Sequence, residues 1–436
     1  MTPPPLETAR RRERVFLVSC RRPDESEAAA ALDREELVRL AEGAGGQVAG
    51  VLVLPLRAAH PKTYLGRGQT ERLAEEAAAA EADEIVFDDE LSPAQANSLA
   101  AACGMRVLDR TQLILDIFAA RARTREGRLQ VEMAILSYLR PRLKGMWTHL
   151  ERQKGGIGLK GPGEKQIELD RRRIDGRLAV LRGRMAEVRA RRERTGDARR
   201  RKGFALATLV GYTNAGKSTL LNRLAAAEAY ADDRLFATLD PTTRIVETAP
   251  GRKCLLTDTV GFIRKLPHHL VDAFKATLEE VARSDLLLHV VDAAHPAAMA
   301  QCDAVEEVLR ELGAGEKPRI VVLNKADLLR DGPEKRAVMS RYPEGVCVSA
   351  KTGAGFAELE SAMRSALAGG GETVHLRVPA LEETALRRPF SIFEARDGKL
   401  EILYKEVGRG TAAMGSIRPG DEVDMLGPLG RGFPVK

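Results

Sequence analysis

Aromatic residues make up only 4% of the 436-residue chain, with a single tryptophan. That scarcity excludes the stacking of splayed single-stranded bases as a main mode of action, because stacking needs a row of exposed rings. Cysteine is also thin. Cys20, Cys103, Cys254, Cys302 and Cys347 lie far apart, and no CxxC pair occurs. This argues against a zinc site or a disulfide framework and suits a reducing cytosol. No apolar run approaches the roughly 20 residues needed to span a bilayer. The opening stretch, MTPPPLETARRRERVFLV, is charged and lacks a signal-peptide apolar core and cleavage site. A soluble cytoplasmic protein is expected, and nothing points to an obligate oligomer, so a monomer is expected too.

What is present is a globular composition, 44% hydrophobic and 30% charged, with a net charge of +7 that favours an anionic partner. The length calls for several domains. Residues 1–143 read as an N-terminal α/β domain. RVFLVSC, GQVAGVLVLPL and DEIVFDD are strands, separated by helical DREELVRLAEGA and TERLAEEAAAAEA. SPAQANSLAAACG reads as a helix capped by Ser92 and stopped at Gly104. Residues 144–202 hold a glycine-rich loop, KGGIGLKGPG, and a long basic helical stretch. Its apolar seam runs through Ile167, Ile174, Leu178, Leu181, Met185 and Val188. A helical hairpin or coiled-coil arm with a turn near Thr195–Gly196 is expected. Residues 203–367 form a second α/β domain, in which ALATLVG, KCLLTDTVG, DLLLHVVDA, RIVVLNKAD and GVCVSAK read as buried parallel strands. After GGGE, residues 368–436 read as a small β-rich C-terminal domain. The expected fold class is therefore α/β and multidomain.

The chemistry concentrates in 203–367. GYTNAGKS fits GxxxxGK[ST] between a strand and a helix, the context a phosphate loop requires. Gly211 and Gly216 let the backbone bend, so that Tyr212, Thr213, Asn214 and Ala215 can turn their N–H groups on a phosphate. Lys217 supplies charge, and Ser218 offers a hydroxyl to Mg²⁺ at a helix N-terminus. DTVG then brings Asp258, Thr259, Val260 and Gly261. The Asp258 carboxylate can hold the metal through water, and the Gly261 N–H can reach a γ-phosphate. NKAD selects the base. Asp327 can accept two hydrogen bonds from guanine, which adenine cannot supply, while Asn324 ties the motif to the loop and the Lys325 stem, beside Ala326, packs on the base. In VSAKTG, Ser349, Ala350 and Lys351 can approach the guanine O6. Between loop and metal lies FATLDPTTR, with Phe236, Ala237, Thr238, Leu239 and Asp240 at its start. One of Thr238, Thr242 and Thr243 should bind magnesium while the triphosphate is intact, and chemistry alone leaves open which. A GTPase is expected. Many GTPases place a glutamine after the DxxG glycine to orient the attacking water. Here Phe262 stands there and cannot, so unassisted turnover should be slow and a partner should reorganise the site. Arg264, Lys265, His268 and His269 are expected on a switch helix facing that partner.

GPGEKQIELDRRRI, GYTNAGKSTLLN, FATLDPTTR, DTVGFIRKLPHHLVDAFKATLEE and NKAD, in this order, resemble the HflX family of translation-factor-class GTPases. HPKTYLGRGQ and RTQLILDIFAARA fit as well, so the resemblance covers about residues 14–367. It implies binding to the ribosome, chiefly its large subunit and rRNA, and a role in ribosome splitting, rescue or recycling. It selects Thr238 as the switch threonine, and it implies that the loop and arm reach towards the peptidyl-transferase centre. Lys165 stands where many relatives carry threonine.

Charge agrees with such a partner. Residues 171–202 hold 14 Arg or Lys against Asp175, Glu187, Glu193 and Asp197. Lys154, Lys160, Lys165, Arg171, Arg172 and Arg173 are the candidate RNA contacts, with salt-dependent affinity expected from counterion release. No DNA partner is expected. Two rival readings are a signalling switch with a protein effector and an ATP-driven RNA remodeller using the N-terminal domain. The latter has no GxxxxGK[ST] match there.

Overall fold

In the computed structural model, the residues described are 12–143, 162–201, 204–225, 236, 238–249, 252–265, 280–329 and 332–368, with five short strands beyond. The N-terminal unit is a four-stranded parallel sheet, β1 (Arg14–Arg21), β2 (Gln47–Pro55), β3 (Glu84–Phe87) and β4 (Arg106–Asp109), in the order β2-β1-β3-β4. Helices α1 (Glu27–Gly43), α2 (Arg67–Ala79) and α3 (Pro93–Cys103) make the crossovers, and α4 (Arg110–Arg121) and α5 (Arg125–Leu139) follow. The β3 residues are all buried, as expected of a strand covered on both faces. Ser92 caps α3 by accepting from Gln95 N–H, and Gly104 ends the helix in the left-handed region at φ 66°.

Helix α6 (Pro162–Arg201) runs unbroken through Thr195 and Gly196, so the turn expected there is absent. Glycine in a helix interior costs about 1 kcal/mol against alanine, too little to stop a helix forty residues long. The partner of α6 is α5 instead. Leu181 and Met185 pack with Leu129, and Met133, Leu136 and Val188 close the seam. Arg177 forks onto Glu132 at 2.6 and 3.0 Å, and Arg140 reaches Asp175 at 2.6 Å. These pairs run in opposite directions along the two helices, so the hairpin is antiparallel.

The second sheet has the order β10-β9-β8-β5-β7-β6. Its strands are β5 (Ala205–Gly211), β6 (Thr242–Ala249), β7 (Arg252–Asp258), β8 (Leu286–Asp292), β9 (Arg319–Asn324) and β10 (Val346–Cys347). All pairings are parallel except β6–β7. Around the sheet lie α7 (Lys217–Leu224), α8 (Ala298–Glu311), α9 (Pro333–Arg341) and α10 (Phe356–Ala368). Short strands β11 (Thr373–Arg377), β12 (Arg388–Ser391) and β15 (Asp424–Leu426) pair antiparallel, as do β13 (Glu394–Arg396) and β14 (Lys399–Glu401). One apolar cluster runs from Leu37, Ile114 and Phe118 of the N-terminal unit into Val210, Phe236, Leu239 and Phe262 of the second. The two sheets therefore share a core. Among the described residues, no helix is long and apolar enough to cross a membrane.

Candidate nucleotide site

The carboxyl ends of β5, β7 and β9 converge, and the loops leaving them form the site. Gly211 to Ser218 wrap from β5 into α7. Gly216 adopts φ 91°, and a side chain there would collide with the Asn324 amide. That amide donates to Ala215 O at 2.8 Å, and its oxygen accepts from Ala350 N–H at 3.0 Å. Asn324 thus pins three motifs together. Asp327 lies beside it, with Oδ1 accepting from Ser349 Oγ at 2.6 Å. The Lys325 ammonium pairs with Asp292 at 2.7 Å.

At the phosphate end, Lys217 is buried and donates to Gly211 O at 3.1 Å and Tyr212 O at 2.7 Å. Burial pulls its pKa down to about 8, against the opposing charge of Asp258. A cation stripped of water, held by carbonyl oxygens of a glycine loop at a helix N-terminus, favours a polyanion. Burial raises the Asp258 pKa, with Lys217 and Ser218 opposing. Ser218 Oγ donates to Asp258 Oδ2 at 2.6 Å and lies 2.7 Å from Thr238 Oγ1. Among the described residues, Asp258 Oδ1 is buried with no hydrogen-bond partner. Two hydroxyls and a carboxylate with an open oxygen suit a hard, octahedral cation that keeps several waters. Thr243 is spent in a 2.9 Å contact with Thr257, inside the β6–β7 pair, and Thr242 also belongs to β6.

Gly261 stands against Thr213 and the Lys217 ammonium. Phe262 donates its N–H to Gly211 O at 3.1 Å and accepts from Thr213 N–H at 2.7 Å. Its ring is 2% exposed and belongs to the shared core, so it turns away from the site. Arg264 and Lys265, expected to face a partner, bond to the N-terminal unit. Arg264 reaches Asp33 at 2.6 Å, and Lys265 reaches Asp88 at 2.6 Å and Asp33 at 3.3 Å. His268 and His269 lie outside the described residues.

Not every residue assigned to the nucleotide has its side chain there. Leu239 is buried in the shared core, and Phe236 stacks edge-on against Phe118. The Asp240 carboxylate bonds to Arg123 and Thr124. Ala237, Lys154 and Lys160 lie outside the described residues. Lys165 sits in the first turn of α6, and Arg172 and Arg173 are exposed on it, paired with Glu168 and Asp170 at 3.2 Å each.

The far wall of the cleft was missed by sequence reasoning. A space of about 1300 Å³ is bounded by the motif loops on one side and α1 with the following turn on the other. Tyr212 Oη donates to Glu36 of α1 and accepts from Arg264 N–H at 2.9 Å. A signal was available. Asp33 falls in line with Ala30, Leu37, Leu40 and Ala41 on the buried face of α1, and an acid on an apolar stripe calls for a cation to pair with it.

Three family models match in chain order. "GTP-binding GTPase N-terminal" covers residues 32–119, "GTP-binding GTPase Middle Region" covers 121–199, and "50S ribosome-binding GTPase" covers 207–325. A solved GTP-binding protein from Sulfolobus solfataricus, in complex with GDP, is 24% identical with a TM-score of 0.43, over 82% of this chain and 99% of that one. Among curated proteins, GTPase HflX of Lacrimispora saccharolytica is 46% identical over 90% of this chain and 89% of its own. GTPase HflX of Escherichia coli K12 is 47% identical over 83% and 85%. Identity at that level, sustained through the arm and both α/β units, makes this chain a member of the HflX family of GTPases, enzymes that hydrolyse GTP.

Proposed function

We propose that this GTPase binds the large ribosomal subunit and couples GTP binding and hydrolysis to ribosome splitting, rescue or recycling. It acts as a cytoplasmic monomer, with the N-terminal unit, arm, GTPase unit and C-terminal unit as its working parts. Lys217 and the loop N–H groups grip the phosphates, Gly261 senses the γ-phosphate, and Asp327 with Asn324, Ser349 and Ala350 reads guanine. Ser218 and Thr238 would hold Mg²⁺, with Asp258 acting through water. When bound, the ion neutralises charge between the phosphates. The observation that carries the reading is that the phosphate-sensing segments are bonded to the unit bearing the basic arm, through Arg264–Asp33 and Asp240–Thr124. GTP state and arm position then change together.

The buried Phe262 leaves this chain without a side chain at that position to orient water. Purified large subunits are therefore expected to raise the GTPase rate by ~10²-fold or more, towards the 10³–10⁵ that supplied groups give elsewhere. A rate indifferent to subunits would overturn the proposal. A GTP-analogue complex that never sediments with subunits would favour a protein effector. Splitting itself is read by light scattering of intact ribosomes on addition of the analogue-bound protein.

The arm makes a separate prediction. Changing Arg171, Arg172 and Arg173 together to Gln should weaken subunit binding and flatten its salt dependence by about 0.7–0.9 in log–log slope for each phosphate left without its arginine. GTP affinity should not change. An unaltered slope would take these three residues out of the RNA interface.

A further inference from the structure

The segment carrying Thr238 is tied to the N-terminal unit on both sides of that residue. Before it, Phe236 meets Phe118 of α4 with ring centroids 4.8 Å apart at 82°. After it, Asp240 reaches out of the GTPase unit. Its Oδ2 accepts from the Arg123 and Thr124 N–H groups, each at 2.9 Å, and its Oδ1 accepts from the Thr124 hydroxyl. Thr124 is the N-cap of α5, accepting from Gly127 N–H at 3.0 Å. A carboxylate thus sits at the positive end of α5, where it is favoured both by the helix dipole and by unpaired N–H groups. Gly127 admits it, because a Cβ at that position would overlap Asp240 Oδ1. Glycine is the poorest helix former after proline, so its place in the first turn of α5 suits this approach. Helix α5 is also the helix on which the arm lies, through Leu129 and Glu132.

We propose that Asp240 is a positioning residue for GTP turnover. It pins the Thr238 segment to α5, so that the hydroxyl at Ser218 and the seat of the arm are set by one contact. The inference rests on the assignment of Thr238 to the metal and γ-phosphate. Coupling of this kind is reciprocal. GTP favours the docked Asp240, and the docked Asp240 favours GTP over GDP. The route from nucleotide to arm is short: Ser218 to Thr238, two residues to Asp240, then the cap of α5.

The test uses the full chain, with a non-hydrolysable GTP analogue or GDP bound. In the wild type, amide hydrogen exchange in residues 121–128 should be slower with the analogue than with GDP. Asp240→Ala should erase that difference and reduce the analogue-to-GDP affinity ratio about 10-fold, with GDP affinity unchanged. Gly127→Ala should erase it too, although alanine strengthens the helix, which separates failed docking from failed folding. Asp240→Asn keeps a carbonyl acceptor and should recover part of the ratio. Thr238→Ala tells the two readings apart. If it leaves the affinity ratio at the wild-type value, the Thr238 assignment falls, and the inference falls with it. If it lowers the ratio while Asp240→Ala and Gly127→Ala change neither exchange nor affinity, the assignment stands and the inference alone is overturned. Equal exchange with both nucleotides in the wild type also overturns it.

Discussion

Asp327→Asn is expected to weaken GTP binding by on the order of 10⁴-fold, the discrimination reached by sites built to pair a specific polar group. The geometry fixes one carboxylate oxygen, because Ser349 Oγ donates to Oδ1 at 2.6 Å. Asn324 holds the adjoining strand end to the phosphate loop, so the acid cannot drift from the base when the phosphates are gripped. Guanine presents two donors in one direction, N1–H and the exocyclic amine. An asparagine would set its own NH₂ against one of them and leave a buried donor unpaired, which costs more than the missing bond. Xanthine carries a carbonyl oxygen where guanine has the amine. The same substitution should therefore improve binding of xanthosine triphosphate, a gain that simple damage to the site cannot produce. Competition titration against a fluorescent nucleotide measures both. GTP affinity within a few-fold of the wild type, or no gain for the xanthine nucleotide, would refute the role given to Asp327.

The nucleotide end of the molecule was legible because its rules are local. A glycine spacing, a lysine, a serine and an acid after an apolar run each declare a backbone shape and a charge within a few residues, and the sheet brings those loops to one edge. The strands of both sheets, β6 and the four-residue β4 apart, were legible for the same reason. Strand β6 was not, because TTRIVETA pairs antiparallel with β7 by hydrogen bonds that no periodicity in the loop announces. The hairpin was placed in the wrong pair of helices. The seam on α6 is legible, but a seam does not name its partner, and α5 carries the matching face far upstream, 45 residues away at the Arg177–Glu132 pair. The largest omission was the joint between units. Asp33, Glu36, Asp88 and Arg110 are spread over nearly eighty positions of sequence, and only the crossovers of the N-terminal sheet bring them to Tyr212, Arg264 and Lys265. A sequence reading sees Arg264 and Lys265 as loose surface charge awaiting a ribosome. The structure gives them partners inside the chain, so any ribosomal group that approaches this face meets the switch with its cations already engaged.

Arg110→Met is expected to cost about 3–5 kcal/mol of stability, the range for breaking a buried ion pair from one side. Arg110 is 2% exposed. It donates to Asp88 at 2.6 Å, to Glu36, and to the Arg264 carbonyl oxygen at 3.1 Å. It therefore closes an acid pocket and grips the switch backbone together. Burial works to raise the Asp88 pKa, but the Arg110 guanidinium and the Lys265 ammonium overcome it and hold the carboxyl below its usual range. A depressed folded pKa contributes stability that is present above the unfolded value, near 3.9, and is lost as pH falls through the folded one. Methionine supplies similar length and apolar bulk but leaves Asp88 to Lys265 and Glu36 to the Tyr212 hydroxyl. The penalty should thus be largest near neutral pH. It should shrink as pH falls below the usual carboxylate range and through the depressed pKa of Asp88. Adding Asp88→Asn to Arg110→Met should restore part of the stability at pH 7, because a neutral amide no longer needs the guanidinium. Denaturant unfolding at two pH values reads all three expectations. A penalty below about 1 kcal/mol would put the pair among solvent-screened surface bridges. A penalty that does not shrink in acid would assign Arg110 a packing role through its stem rather than a charge closing the joint between the two units.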